Sequence, residues 1–143
     1  MRKPLILLFV MLGITNGHGQ KWQQSIEQAL AEAEINNKKI LLFFSVSEQC
    51  DNCVQLEKNV FSSDAFIAYA NENYILVKMD FSDNAETATA EVMQKNLLII
   101  EKYNKDGFFP LVVVLNKDLK VLGKTGLYEN ETPDQFISQI RSF

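Results

Sequence analysis

The sequence predicts an α/β sandwich built around a mixed β-sheet. Three observations carry that prediction: two continuous apolar runs of strand length, Ile40–Phe44 and Leu111–Leu115; amphipathic helical patterns between them; and a closing order of hairpin, then helix. Runs that are apolar at every position suit strands covered on both faces. Strands alternating with helices place the helices on those faces. No internal repeat, low-complexity segment or linker follows residue 19, so the pattern is that of one domain.

The chain opens with Arg2 and Lys3, an apolar stretch from Leu5 to Leu12, and Gly17-His18-Gly19. That order is an export signal with small residues at its cleavage site. The apolar run falls well short of the ~20 residues a bilayer span needs. Cleavage is expected after Gly19, with Gly17 as the alternative, giving a signal peptide over 1–19 and a domain over 20–143.

Trp22, Ile26, Leu30 and Ala33 recur at helical spacing and predict a helix from Trp22 to about Asn36. Asn36-Asn37-Lys38-Lys39 breaks it, the strand 40–44 follows, and Ser45–Gln49 reads as a loop. A helix is expected from Cys50 to about Asn59, with Val54 and Leu56 as core contacts. Ser63 has the chemistry of an N-cap for a helix over 64–71, with Phe66, Ile67 and Ala70 inward. Tyr74–Met79 reads as a strand ending at Asp80. A helical pattern from Glu86 to Tyr103 turns Val92, Leu97, Ile100 and Tyr103 inward, and Lys105-Asp106-Gly107 is a turn. Strand 111–115, a hairpin turn at Asn116-Lys117-Asp118 and a more exposed strand from Leu119 to Thr125 come next, ended by Gly126. Thr132-Pro133 then starts a helix with Phe136, Ile137 and Ile140 on one face.

Loss of Arg2 and Lys3 with the signal leaves 12 basic against 18 acidic residues, a net charge of −6. An acidic domain with no run of Lys and Arg argues against a nucleic-acid partner. The sole histidine, His18, leaves with the signal as well. The remaining chain has no His for a Cys–His or Ser–His pair and none for a metal site. No metal or other cofactor is expected, and no membrane span after cleavage.

Cys50 and Cys53 are the only cysteines, in the run Glu48-Gln49-Cys50-Asp51-Asn52-Cys53. On a helix an i, i+3 pair shares one face with Cβ atoms roughly 5–6 Å apart, close to bridging distance. A helix N-terminus at Cys50 favours a thiolate there. A bridge over so short a loop removes little chain entropy, so a stabilising staple explains the pair poorly. Zinc would need two more ligands. Two inert, buried cysteines remain the plain alternative.

The ordered set resembles the thioredoxin-like family, in particular small exported members and the C-terminal periplasmic domain of the disulfide reductase DsbD. The residues that carry it are Lys39–Phe44, then Cys50-Asp51-Asn52-Cys53-Val54-Gln55-Leu56-Glu57, Val60-Phe61-Ser62, Val77-Lys78-Met79-Asp80 and Gly107-Phe108-Phe109-Pro110. The resemblance spans roughly Trp22 to Phe143. It implies a three-layer sandwich, a central mixed sheet flanked by helices. It implies Cys50 as attacking thiolate, Cys53 as resolving thiol, and Pro110, with Phe109 beside it, as the substrate-binding edge. Pro110 matches the family's cis-proline, the alternative being an ordinary trans proline that opens a strand. For Phe108 and Phe109 the alternative is simple packing. Lys78 matches a lysine near the family's redox site, or is a surface lysine with a buried stem.

Three positions depart from the family's usual pattern: Gln49 where a Trp precedes the first Cys, Phe43 or Phe44 where a buried acid assists deprotonation, and Leu111 after the proline. Glu48 and Asp51 disfavour further negative charge at Cys50, against the helix terminus. A less stabilised thiolate points to a reductant. The sequence thus predicts an exported, periplasmic or secreted thiol–disulfide oxidoreductase. Its partners would be client proteins with disulfides or thiols and a redox protein that supplies or accepts electrons, and it would act as a monomer. The alternatives are an oxidase or isomerase, or a non-enzymatic binding module with a permanent disulfide.

Overall fold

The computed structural model describes residues 19–81 and 89–143. Residues 1–18 of the expected signal and residues 86–88 of the expected fourth helix lie outside the described residues. The described chain runs β1 (Trp22–Gln23), α1 (Ile26–Asn36), β2 (Lys39–Ser45), α2 (Asp51–Leu56), α3 (Asp64–Asn73), β3 (Tyr74–Asp80), α4 (Ala90–Tyr103), β4 (Leu111–Leu115), β5 (Val121–Thr125) and α5 (Pro133–Arg141). A 3₁₀ turn at Ser47–Gln49 precedes α2, and a π-helical turn at Glu57–Phe61 prolongs it.

The sheet order is β1-β3-β2-β4-β5. β1, β3 and β2 are parallel, whereas β4 runs antiparallel to β2 and β5 antiparallel to β4. The sheet is therefore mixed, with helices on both faces, as the sequence predicts. Alternation along the strands divides the core in two. Leu41, Phe43, Leu76, Val112 and Val114 face α2, α3 and α5, where Cys53, Leu56, Phe66, Phe136 and Ile140 meet them. Ile40, Leu42, Phe44, Val77, Met79 and Val113 face Ile26, Ala29 and Ala33 of α1 and Tyr103 of α4. A strand buried on both sides has no room for polar positions, which is why β2 and β4 read as unbroken apolar runs.

Four expectations change. The helix expected from Trp22 begins at Ile26, with Ser25 as its cap, because Trp22 and Gln23 pair with Leu76 and Val77 as a short edge strand. The helix at Cys50 ends its regular part at Leu56 and closes through the π turn to Phe61. Val54 is 48% exposed, while Leu56 is buried. On α4, Tyr103 is buried but Val92 and Leu97 are exposed, since the helix packs on the core through Ile99, Ile100 and Tyr103. Finally, β5 begins at Val121: Leu119 adopts a left-handed backbone, φ 59°, and the Asn116 side chain accepts from the N–H groups of Asp118 and Lys120 to shape the turn.

Helix starts match the caps legible in the sequence. Ser63 accepts from the N–H of Phe66. Thr132 and Gln135 form a reciprocal capping box around Pro133.

Candidate active site

The loop from β2 delivers Cys50 to the start of α2. Ser45 accepts from the N–H of Ser47 at 3.1 Å, and the Ser47 hydroxyl donates to the Asp80 carboxylate at the end of β3. Phe81 donates its N–H to the Ser45 carbonyl at 2.9 Å. These bonds fix the segment between the last core residue of β2 and the first cysteine.

Cys50 is the N-cap of α2, in an extended conformation. Its sulfur is bonded to Cys53, with the Cα atoms 5.2 Å apart, and it accepts from the N–H of Cys53 at 3.1 Å. The two sulfurs differ in environment. Cys53 is wholly buried in the core beside Phe43 and Leu56, whereas Cys50 is only partly buried at its margin. Cys50 reaches the surface in part, and Cys53 is shielded.

Pro110 precedes β4, and the Phe109–Pro110 peptide is cis. Phe44 and Leu111 are cross-strand partners, so Pro110, one residue further, lies at the sheet end from which β2 leads to Cys50. Pro110 is buried and Phe109 half-buried. Phe109 and Cys50 both pack against the core cluster that holds Cys53, and Pro110 and the cysteine loop lie at the same end of the sheet. Gln49 is exposed beside them.

The two possibilities for the position of the family's buried acid separate cleanly. Phe43 lies on the cysteine side of the sheet and Phe44 on the opposite side. Phe43 packs edge-on against Phe61, with centroids 5.0 Å apart, so an aromatic ring stands in the core cluster that holds Cys53.

Two groups were not singled out by sequence reasoning. Glu57, one helical turn after Cys53, pairs with Lys78 at 2.9 Å, and Lys78 also lies 3.7 Å from Asp80. The i, i+4 spacing from Cys53 to Glu57 is the signal that could have found it. Asn104, 3% exposed, holds the loop before Pro110 with both ends of its amide. It donates to the Phe108 carbonyl at 2.8 Å and accepts from the Phe108 N–H at 2.9 Å. Gly107, at φ 67°, supplies the left-handed turn between them. Among the described residues, no group of three or more His, Cys, Asp or Glu side chains could hold a metal ion.

A Cys-x-x-Cys disulfide at a helix start, one cysteine partly exposed and one buried, with a cis-proline at the same end of a mixed sheet, is the constellation of a thiol–disulfide oxidoreductase. The model of the thioredoxin-like domain family matches residues 26–141, and the chain belongs to that family. It is similar to the disulfide bond reductase DsbH of Chlamydia pneumoniae, with 27% identity over 122 residues, 85% of this chain and 71% of that protein. Among solved structures it resembles a DsbH oxidoreductase with a TM-score of 0.79 and 26% identity, covering 87% of this chain and 83% of that one. The oxidised C-terminal domain of DsbD from Neisseria meningitidis shares the fold, with a TM-score of 0.58 and 19% identity over 85% of this chain and 97% of that one.

Proposed function

We propose that this protein is an exported protein-disulfide reductase in which Cys50 attacks and Cys53 resolves. The observation that carries this reading is the unequal burial of the two cysteines at the start of α2. In the reduced protein the Cys50 thiolate attacks a partner disulfide, forming a mixed disulfide and releasing one partner thiolate, which takes up a proton. Cys53 then gives up its proton and attacks the Cys50 sulfur, which restores the Cys50–Cys53 bond and frees the second partner thiol. Two electrons and two protons pass to the partner, and a redox protein with a dithiol reverses the sequence to recharge the pair.

The Cys53 N–H directed at Cys50 supports the thiolate by hydrogen bonding. Burial of Cys53 restricts it to attack within the chain. Phe109 and Pro110 are read as the edge against which the partner backbone lies, supported by their place beside the β2 end that feeds Cys50.

The reducing direction is supported by Glu48 and Asp51 around Cys50 and by Phe43 in place of an acid. Less stabilisation of the thiolate weakens the reduced form relative to the disulfide, which makes the dithiol the better electron donor. Export is supported by the basic-then-apolar N-terminus. No helix of the described residues is long and apolar enough to cross a membrane.

Turnover tests the reading. With dithiothreitol as the electron source, the wild-type domain should accelerate insulin disulfide reduction, and Cys50→Ser should abolish the acceleration. A wild-type domain that leaves the rate unchanged would instead mark a binding module with a permanent disulfide.

A further inference from the structure

The lysines are scattered in the sequence, but the fold gathers several of them beside the proposed partner edge. The end of α4, the loop after it and β5 enclose a cleft of about 270 Å³ lined by Lys102, Lys105, Lys124, Tyr103, Phe108 and Leu111. Asp106 also stands in its wall. Three cations face one carboxylate in a domain that is otherwise rich in acids: residues 102–124 hold five lysines against Asp106 and Asp118.

These charges are not neutralised from within. Among the described residues the ion pairs are Lys78 with Glu57 and Asp80, and Lys95 with Glu91; none involves Lys102, Lys105 or Lys124. Lys124 donates to the Tyr103 carbonyl at 2.6 Å, and the Lys102 ammonium lies 5.1 Å from the Tyr103 ring centre. Basic residues at a helix C-terminus have a structural use, since they answer the helix dipole. That end carries about half an elementary charge, however, which Lys124 satisfies through the Tyr103 carbonyl. Lys102 and Lys105 remain in excess. Phe108, 64% exposed, adds an apolar wall, and the chain runs from it directly into Phe109 and Pro110.

We infer that this cleft binds an acidic segment of the partner polypeptide whose disulfide is exchanged at Cys50. The inference rests on the proposed oxidoreductase function for the disulfide, though not for the binding. Carboxylate side chains would meet the lysines, an apolar neighbour would lie on Phe108, and the strand between would follow the Phe109–Pro110 edge. A concave cleft lined by Phe108 and Leu111, the residues on either side of Phe109 and Pro110 in the chain, fits an extended polypeptide better than the flat surface of a bilayer. At the other end of the site Glu48 and Asp51, both exposed, flank Cys50, so the acids that bind should be displaced from the partner's own cysteine. Opposite charges at the two ends give the partner a preferred orientation.

The test uses the reduced domain and two disulfide peptides that differ only in a distal patch, Glu-Asp-Glu in one and Ser-Asn-Ser in the other. At low salt the acidic peptide should react about tenfold faster, the lower end of electrostatic steering, and the advantage should shrink as salt screens it. Lys102→Gln combined with Lys105→Gln should erase the advantage and leave the neutral peptide's rate unchanged. Equal rates for the two peptides, or an advantage that survives the double variant, would overturn the proposal. A cysteine-free acidic peptide, followed by fluorescence anisotropy, should bind wild type and lose binding in the double variant even if no exchange occurs. That arm separates failure of the cleft from failure of the oxidoreductase reading. Binding of the lysines to anionic phosphatidylglycerol vesicles, with no binding of the peptide, would assign a lipid surface and also overturn it.

Discussion

Asn104 shows how much of the site depends on a residue with no part in the chemistry. Its amide satisfies both backbone groups of Phe108 from a buried position, and the next two residues are Phe109 and Pro110. Asn104→Ala leaves those groups to find other partners at a cost of roughly 1–3 kcal/mol. The expected outcome in urea melts is a lower midpoint. Insulin reduction should fall more than the alkylation rate of Cys50, because the partner edge and not the sulfur is disturbed.

Tyr74 has a distinct pH signature. Burial first, and Tyr69 beside it second, raise its phenol above the ordinary value of 10.0. The hydroxyl donates to the Ile140 carbonyl at 3.2 Å. Since the folded chain holds this proton more tightly than the unfolded chain, the contribution is complete below about pH 10 and fades as pH rises above it. Tyr74→Phe should cost about 1 kcal/mol at neutral pH and flatten the alkaline fall, as thermal melts across pH would record.

At the scale of elements, β5 and the C-terminal residue are fitted to each other. A Cβ on Gly123 would overlap the Phe143 ring, and Lys39 donates to the Phe143 carbonyl at 2.9 Å. Gly123→Ala should therefore destabilise by about 1–3 kcal/mol through overpacking. In a Phe143→Ala background the same change should cost much less, a non-additivity that a double-mutant cycle in denaturant measures. The elements that sequence made plain are those whose burial is uniform or whose caps are chemical. β2 and β4 are apolar at every position, and Ser63 and Thr132 have side chains that accept from the backbone. β1 was hidden because two residues cannot display a period, and Trp22 is equally suited to a helix stripe or to its contacts with Phe43 and Phe61. On α4, Ile100 and Tyr103 face the core as expected, whereas Val92 and Leu97 do not, for a different reason. Apolar residues continue up the helix to Val92 and Met93, while the core is met only near its C-terminal end.

For the molecule as a whole, the sheet determines what the cysteines can do. Parallel pairing of β2 with β3 brings Ser45 beside Asp80, and antiparallel pairing with β4 brings Phe44 beside Leu111. The cysteine loop, its anchor and the proline edge thereby meet at one end of one sheet. The pair itself and Pro110 were legible as a motif. The pairing of Glu57 with Lys78 and the gathering of Lys102 and Lys105 with Lys124 were not, because each depends on contacts between distant segments; Asn104 acts on Phe108 only four residues on, but a lone Asn before a turn carries no distinctive pattern. The measurement that bears most directly on the central claim is trapping with single-cysteine variants. Cys53→Ser, which leaves the accessible sulfur without its resolving partner, should accumulate mixed disulfides with client proteins through Cys50, visible on non-reducing gels and lost on reduction. Cys50→Ser should accumulate almost none. Equal trapping by the two variants, or trapping through Cys53 alone, would contradict the assignment of Cys50 as the attacking sulfur.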